Sequence, residues 1–155
     1  MIKLTKTTVE DLETLFVFQS NKDGIWMAAF TAKDQSDKEF YINKWTKIVE
    51  NPDINMQTIR FENKIVGSLV HFDMMEETNV SYWIDQQYWG KGFATEGLKA
   101  FIKDVAKRPL FGRVAYDNYG SQKVLNKCGF KLIGQDKGFA NARNKEIEEF
   151  IYKLD

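Results

Sequence analysis

Cysteine occurs once in this 155-residue chain, at position 128, so no intrachain disulfide can form and no multi-cysteine metal site is available. Net charge is missing too, because 22 Lys and Arg balance 22 Asp and Glu. Without a long-range field, neither nucleic acid nor an anionic membrane is the expected main partner. Long apolar runs are equally absent. The longest, Ile25 to Phe30, is far too short to span a bilayer, and Met1 to Lys6 lacks the apolar stretch of a signal peptide. A reduced, cytoplasmic setting is the expectation. What the chain does contain is core-forming material: 43% hydrophobic residues, with 12 Phe, 6 Tyr and 4 Trp. That suffices for a single domain over residues 1–155 with a true core.

Alternation over Ile2 to Thr5 predicts a short first strand. Thr8-Val9-Glu10-Asp11 resembles a capping box, opening a helix with Leu12, Leu15, Phe16 and Gln19 on one side; Asn21-Lys22-Asp23-Gly24 breaks it. A second capping-box pattern at Ser36 to Glu39 starts a helix carrying Tyr41, Trp45, Ile48 and Val49, which Asn51-Pro52 ends. Ile54–Phe61, Ile65–Asp73 and Thr78–Asp85 then read as strands with links so short that they must form antiparallel hairpins. In the middle strand Val66, Ser68, Val70 and Phe72 are expected on one face, and Ile65, Gly67, Leu69 and His71 on the other. Both faces are largely apolar, so this strand should be central and covered on both sides. A helix with Ala94, Leu98, Phe101, Ile102 and Val105 on one face follows, stopped by Arg108-Pro109. Leu110–Tyr116 reads as a strand, Asn118–Lys127 as a short helix ended by Gly129, and Phe130–Gln135 and Ile147–Leu154 as strands around a polar loop, Asp136–Lys145. The order implies an α/β domain: a mixed, mostly antiparallel sheet of about seven strands flanked by about four helices.

The most informative stretch is Gln87-Tyr88-Trp89-Gly90-Lys91-Gly92-Phe93-Ala94-Thr95-Glu96, between a strand and a helix. Two glycines at a helix entrance leave backbone N–H groups uncovered, and the first N–H groups of a helix lack internal partners, so such a turn can hold a phosphate. A tight turn needing positive φ is the structural alternative. The P-loop pattern is absent, and a dinucleotide fingerprint fails because Thr95 stands at its third glycine and an antiparallel meander precedes the turn. A pyrophosphate cradle for coenzyme A remains. A second segment, Asp117-Asn118-Tyr119-Gly120-Ser121 through Cys128-Gly129-Phe130, follows the fifth strand, with Asn118 as a natural N-cap and Ser121 three residues on.

Together, Tyr82-Trp83-Ile84-Asp85 before the glycine turn and Asn118-x-x-Ser121-x-x-Val124-Leu125-x-Lys127-x-Gly129-Phe130 resemble the GNAT superfamily of acetyl-coenzyme A-dependent N-acetyltransferases, and within it the ribosomal-protein N-terminal acetyltransferase branch. The resemblance implies a GNAT-like fold over the whole chain. It implies that backbone N–H groups of Gly90, Lys91, Gly92, Phe93, Ala94 and Thr95, with Gln87 shaping the turn, hold the coenzyme pyrophosphate. Main-chain groups of Trp83, Ile84 and Asp85 would pair with pantetheine, Asn118 would bond the pantetheine arm, and Ser121 would lie near the sulfur. The tyrosine that commonly protonates the leaving thiolate is replaced by Leu125, which makes Ser121 the substitute acid by position.

Direct attack by a neutral amine needs little more. An α-amine with pKa about 8 is partly neutral at physiological pH, whereas a lysine amine near about 10.4 needs more help. His71, the sole histidine, is the candidate base, against a core or cleft role; Asp73 and Asp85 near strand ends are alternatives. Glu76 and Glu77 could draw a cationic substrate, and Trp26, Met27 and Phe30 fall where relatives build the acceptor pocket. Cys128 is expected to pack rather than react. The expected activity is therefore acetyl transfer from acetyl-coenzyme A to a primary amine, on a small molecule or a protein N-terminus, in a monomer or homodimer, with no metal and no covalent enzyme intermediate. The alternative from another class is a non-catalytic acyl-coenzyme A-binding module.

Overall fold

A computed structural model describes all residues, 1–155. Seven strands form one sheet: β1 (Ile2–Lys6), β2 (Met56–Phe61), β3 (Lys64–Met74), β4 (Glu77–Ile84), β5 (Leu110–Ala115), β6 (Lys131–Ala140) and β7 (Lys145–Leu154). Their spatial order is β1-β2-β3-β4-β5-β7-β6, and only the β4–β5 pair is parallel. Five helices flank it: α1 (Leu12–Gln19), α2 (Lys22–Ala28), α3 (Lys38–Glu50), α4 (Phe93–Lys103) and α5 (Tyr119–Lys127).

The helices divide between two faces. Leu98 and Phe101 of α4 and Leu125 of α5 close the main core against Val66, Leu69, Val80 and Leu110. On the opposite face Leu12 and Leu15 of α1 meet Met56 and Val70, with Tyr41, Trp45 and Ile48 of α3 half-buried over them. The sheet is thus covered on both sides along β3, as its two apolar faces require.

Three sequence expectations change. The break at Asn21-Lys22-Asp23-Gly24 is also a beginning, because the Asn21 side chain accepts from the Gly24 N–H at 2.8 Å and caps α2. Stop and N-cap signals use the same residues, so a fifth helix went unread. Side-chain alternation in β3 is interrupted: Ile59 pairs with Gly67 but Arg60 pairs with Ile65, leaving Val66 as an extra residue. That bulge rotates Val66 into the α4 core beside Leu69, and puts Ile65 with Val70 and Phe72. Finally, the polar stretch from Asp136 is strand. β6 and β7 pair from Lys131↔Lys153 to Ala140↔Lys145, so the connecting loop spans only residues 141–144. β6 is an edge strand with exposed side chains, where polar composition does not oppose pairing.

Candidate active site

The two inner strands separate. β4 and β5 pair only at Thr78↔Leu110 and Asn79↔Phe111, after which β4 continues beside β3 alone, to Gly67↔Ile84. The divergence opens a cleft of about 590 Å³ whose floor includes Val70, Phe72, Ser81, Trp83, Arg113 and Glu149. Phe18, Phe40, Tyr41 and Trp45 form its apolar roof, and it extends through the gap to Asn118, Ser121 and Leu125.

At the far end of β4 lies the glycine turn. Gly90 and Gly92 have φ of 80° and 79°, a left-handed conformation that costs other residues about 1–2 kcal/mol. A Cβ at either would meet nothing within 4 Å, so the turn faces open space. The six successive N–H groups from Gly90 to Thr95 donate to no protein acceptor; the first bonded one is Glu96 N–H, to the Gly92 carbonyl at 3.0 Å. A row of free donors at the entrance of an 11-residue helix suits a diphosphate. Gln87 buttresses the turn by donating to Asp85 Oδ2 at 2.7 Å, and Asp85 Oδ1 accepts from the Gln87 N–H. Lys91 is exposed, while Phe93 is buried against Phe61, with ring centroids 4.8 Å apart.

Several predicted site residues have polar groups already engaged within the protein. Trp83 Nε1 donates to the Phe18 carbonyl at 3.0 Å, and the Ile84 carbonyl accepts from Trp89 Nε1 at 2.9 Å. Asn118 Oδ1 caps the Ser121 N–H at 3.2 Å and Nδ2 reaches the Met27 carbonyl at 3.3 Å, leaving one N–H and one lone pair for a ligand. Ser121 Oγ lies 2.7 Å from the Tyr82 hydroxyl. Burial, against the opposing Ser121 hydrogen bond, pushes the Tyr82 phenol up to about 12, so it stays protonated. Cys128 is buried with Sγ 3.6 Å from the Thr95 carbonyl, and burial raises its thiol above the usual range.

His71 is a correction. It lies on the α4 side of the sheet, its ring 6.3 Å from Phe101, and it does not line the cleft. Its Nε2 accepts from the Asn55 N–H at 3.0 Å, so the lone pair a base needs is already used. Burial lowers its basicity further. The alternatives fare no better. Asp73 is held by Thr78 at 2.8 Å and Lys107 at 3.1 Å, away from the cleft, and Asp85 serves the turn. Of Trp26, Met27 and Phe30, only Phe30 lines the cleft.

Sequence reasoning missed the parts that position α2. Arg143, nearly buried, makes a two-pronged ion pair with Asp117 (2.9 Å each), donates to the Trp26 carbonyl at 2.9 Å and stacks over the Trp26 ring at 4.2 Å. Gln86 ties the same helix to the glycine turn through Asn21 and Asp23. A γ-turn centred on Ala29 (φ 64°, ψ −57°) closes with Phe30 N–H to the Ala28 carbonyl at 2.7 Å and steers the chain into the cleft rim.

No group of three or more His, Cys, Asp or Glu is arranged to hold a metal, and no helix is long and apolar enough to cross a membrane. A mixed sheet whose parallel inner pair splays beside an uncovered helix entrance defines an α/β fold with a cleft between its central strands. The chain belongs to the GNAT acetyltransferase domain family, whose model matches residues 2–131. It is 23% identical over 104 residues to the uncharacterized N-acetyltransferase p20 of Bacillus licheniformis, covering 62% of this chain but only 58% of that protein. Solved structures share the fold. The ribosomal L7/L12 α-N-protein acetyltransferase RimL, in complex with coenzyme A, gives a TM-score of 0.81 at 17% identity, over 99% of this chain and 94% of that one. The ribosomal-protein-S5-alanine acetyltransferase from Vibrio fischeri gives 0.80 at 18%, over 98% and 91%. The microcin C7 self-immunity acetyltransferase MccE, in complex with acetyl-CoA and AMP, gives 0.79 at 21%, also over 98% and 91%.

Proposed function

We propose that this chain, acting through residues 1–155 as one domain, transfers acetyl from acetyl-coenzyme A to a primary amine by direct attack in a ternary complex. The observation that carries the reading is the row of six unpartnered N–H groups from Gly90 to Thr95, placed beside the β4–β5 gap. Phosphates bind at the turn, and the pantetheine arm runs along the edge of β4 that leaves β5, past the Ile84 N–H, toward Asn118; the Asp85 N–H faces β3 instead, donating to the Val66 carbonyl at 2.9 Å, and Trp83, opposite Ser68, faces the same way. A β4 N–H polarises the thioester carbonyl, where negative charge develops. The acceptor enters from the opposite side, under the aromatic roof. Its nitrogen attacks the acetyl carbon, the C–S bond breaks, and Ser121 donates its proton to the departing sulfur, with the Tyr82 hydroxyl behind it. Holding two reactants at one gap supplies much of the rate by itself. Two solved relatives named for ribosomal-protein acetylation support a protein α-amine as one acceptor, and a small-molecule amine fits the same cleft.

Calorimetry with acetyl-coenzyme A, followed by coenzyme release against an amine panel, tests the reading. The expected result is binding, turnover on at least one amine, and affinity reduced at least tenfold in Gly90→Val/Gly92→Val. Binding without turnover on any amine replaces the enzyme by a binding module; no binding at all overturns both.

A further inference from the structure

The mechanism still lacks a group to take the proton from the acceptor nitrogen. Of the carboxylates that line the cleft, Asp37 caps α3 through the Phe40 N–H and Asp34 is held by Ser36. Glu149 is different. It sits on β7 opposite Ala115 of β5, on the cleft floor, with a side chain only 18% exposed. Its Oε1 accepts from Arg113 at 3.1 Å, and its Oε2 makes no protein hydrogen bond.

Building on the acetyl-transfer reading, we infer that Glu149 is the general base, with Arg113 as the residue that positions it. As nitrogen bonds to the acetyl carbon, one N–H bond breaks and its proton passes to Glu149 Oε2. The sulfur departs with the electron pair of the C–S bond and collects the Ser121 proton. Glu149 then returns its proton to water, and Ser121 regains one from water through the Tyr82 hydroxyl 2.7 Å away, so both residues end as they began. Four adjacent strands set up this carboxylate. Arg113 of β5 is shared among Glu149 of β7, Asp136 of β6 at 3.5 Å and Glu77 of β4 at 3.5 Å. Across the cleft stand Asp34, Asp37 and Lys44. Burial raises the Glu149 carboxyl above its ordinary value and Asp136 adds to this, while Arg113 opposes; a carboxylate made more basic is better suited to accept a proton near neutrality.

The test measures coenzyme release with an alanine-initiated tetrapeptide and with spermidine, across about pH 5–9, for the natural chain, Glu149→Gln, Glu149→Asp and Arg113→Lys. Glu149→Gln is expected to lower kcat about 100-fold, leave the KM for acetyl-coenzyme A within about threefold, and erase the acidic limb of the pH profile. Glu149→Asp keeps that limb at a reduced rate. Arg113→Lys moves the limb upward, because the Arg113 hydrogen bond to Oε1 that favours the charged carboxylate is lost. A Glu149→Gln protein with unchanged kcat, or with reduced kcat and the same acidic limb, overturns the assignment. If Glu149→Gln fails to fold by circular dichroism, a Glu149→Asp variant with unchanged kcat, together with an Arg113→Lys variant that keeps the natural pH profile, overturns it equally. Absence of turnover in the natural chain defeats the acetyl-transfer reading instead, and this inference with it.

Discussion

Gly67→Ala probes the contact that fixes where β4 ends its pairing and the chain enters the glycine turn. Gly67 faces Ile84 in the β3–β4 ladder, one residue from the bulge at Val66. A Cβ built there lies 2.3 Å from the Trp83 carbonyl oxygen, 2.9 Å from Ile84 Cδ1 and 3.2 Å from Ile84 Cα. Two of these atoms are backbone, so no rotamer change relieves the overlap; β4 itself must retreat by roughly an ångström. Overpacking of this kind costs about 1–3 kcal/mol, and a backbone obstacle puts Gly67→Ala at the upper end. For a domain of this length, about 3 kcal/mol lowers Tm by roughly 6–12 °C. Thermal unfolding followed by circular dichroism measures this directly. Gly134→Ala is the control: a Cβ there meets nothing within 4 Å. Reduced freedom of the unfolded chain makes that variant neutral, or more stable by up to about 1 kcal/mol. If Gly67→Ala melts within about 2 °C of the natural chain, the close approach of β3 to β4 is wrong.

Arg143→Met removes the cation that binds Asp117 and the Trp26 carbonyl; Asp117, with its side chain 27% exposed, is partly rescued by water, so the loss is about 1–3 kcal/mol by urea unfolding. Arg143 holds Asp117 below the ordinary carboxylate range, so its stabilisation is complete above the unfolded carboxyl pKa of about 3.9 and is lost as pH falls through the lowered native value. Arg143→Met should therefore lose less stability than the natural chain over that acid window. His71→Leu tests the correction made above: it strips the Asn55 N–H of its acceptor and costs about 1–3 kcal/mol, yet saturated coenzyme release should stay within about twofold. The lowered His71 pKa adds a sign. Below about 6.5 the unfolded chain takes up a proton that the native imidazole resists, so natural-chain stability falls on acidification there and the Leu variant's does not.

The glycine turn, the capped helix start at Asn118 and the strands before them were legible because their signals are local. A glycine turn before an amphipathic run, an Asn three residues before Ser121, and hairpin links of three and four residues each speak within a few positions. The opposite rim of the cleft depends on longer-range facts. α2 was hidden because Asn21 both ends one helix and caps the next, and the γ-turn after it is centred on Ala29, where a glycine would have announced the positive φ. His71 was misassigned because strand alternation gives two faces without saying which helices cover each; Phe101 and the Asn55 N–H decide that.

The ionic row has the same origin. Glu77, Arg113, Asp136 and Glu149 carry no mutual spacing that a motif could capture, since they become neighbours only when β7 inserts between β5 and β6. That insertion separates the two halves of the cleft by kind. The half built by one turn and one helix start presents backbone donors, which a sequence pattern can specify and other side chains can tolerate. The half built by strand order presents side chains from β3, β4, β5 and β7 beneath a roof from α1 and α3. On the proposed reading, substitutions on that floor and roof, such as at Phe72, Ser81, Tyr41 or Trp45, should change which amine is accepted while leaving the affinity for acetyl-coenzyme A measured by calorimetry within about threefold, since all four lie outside the glycine turn.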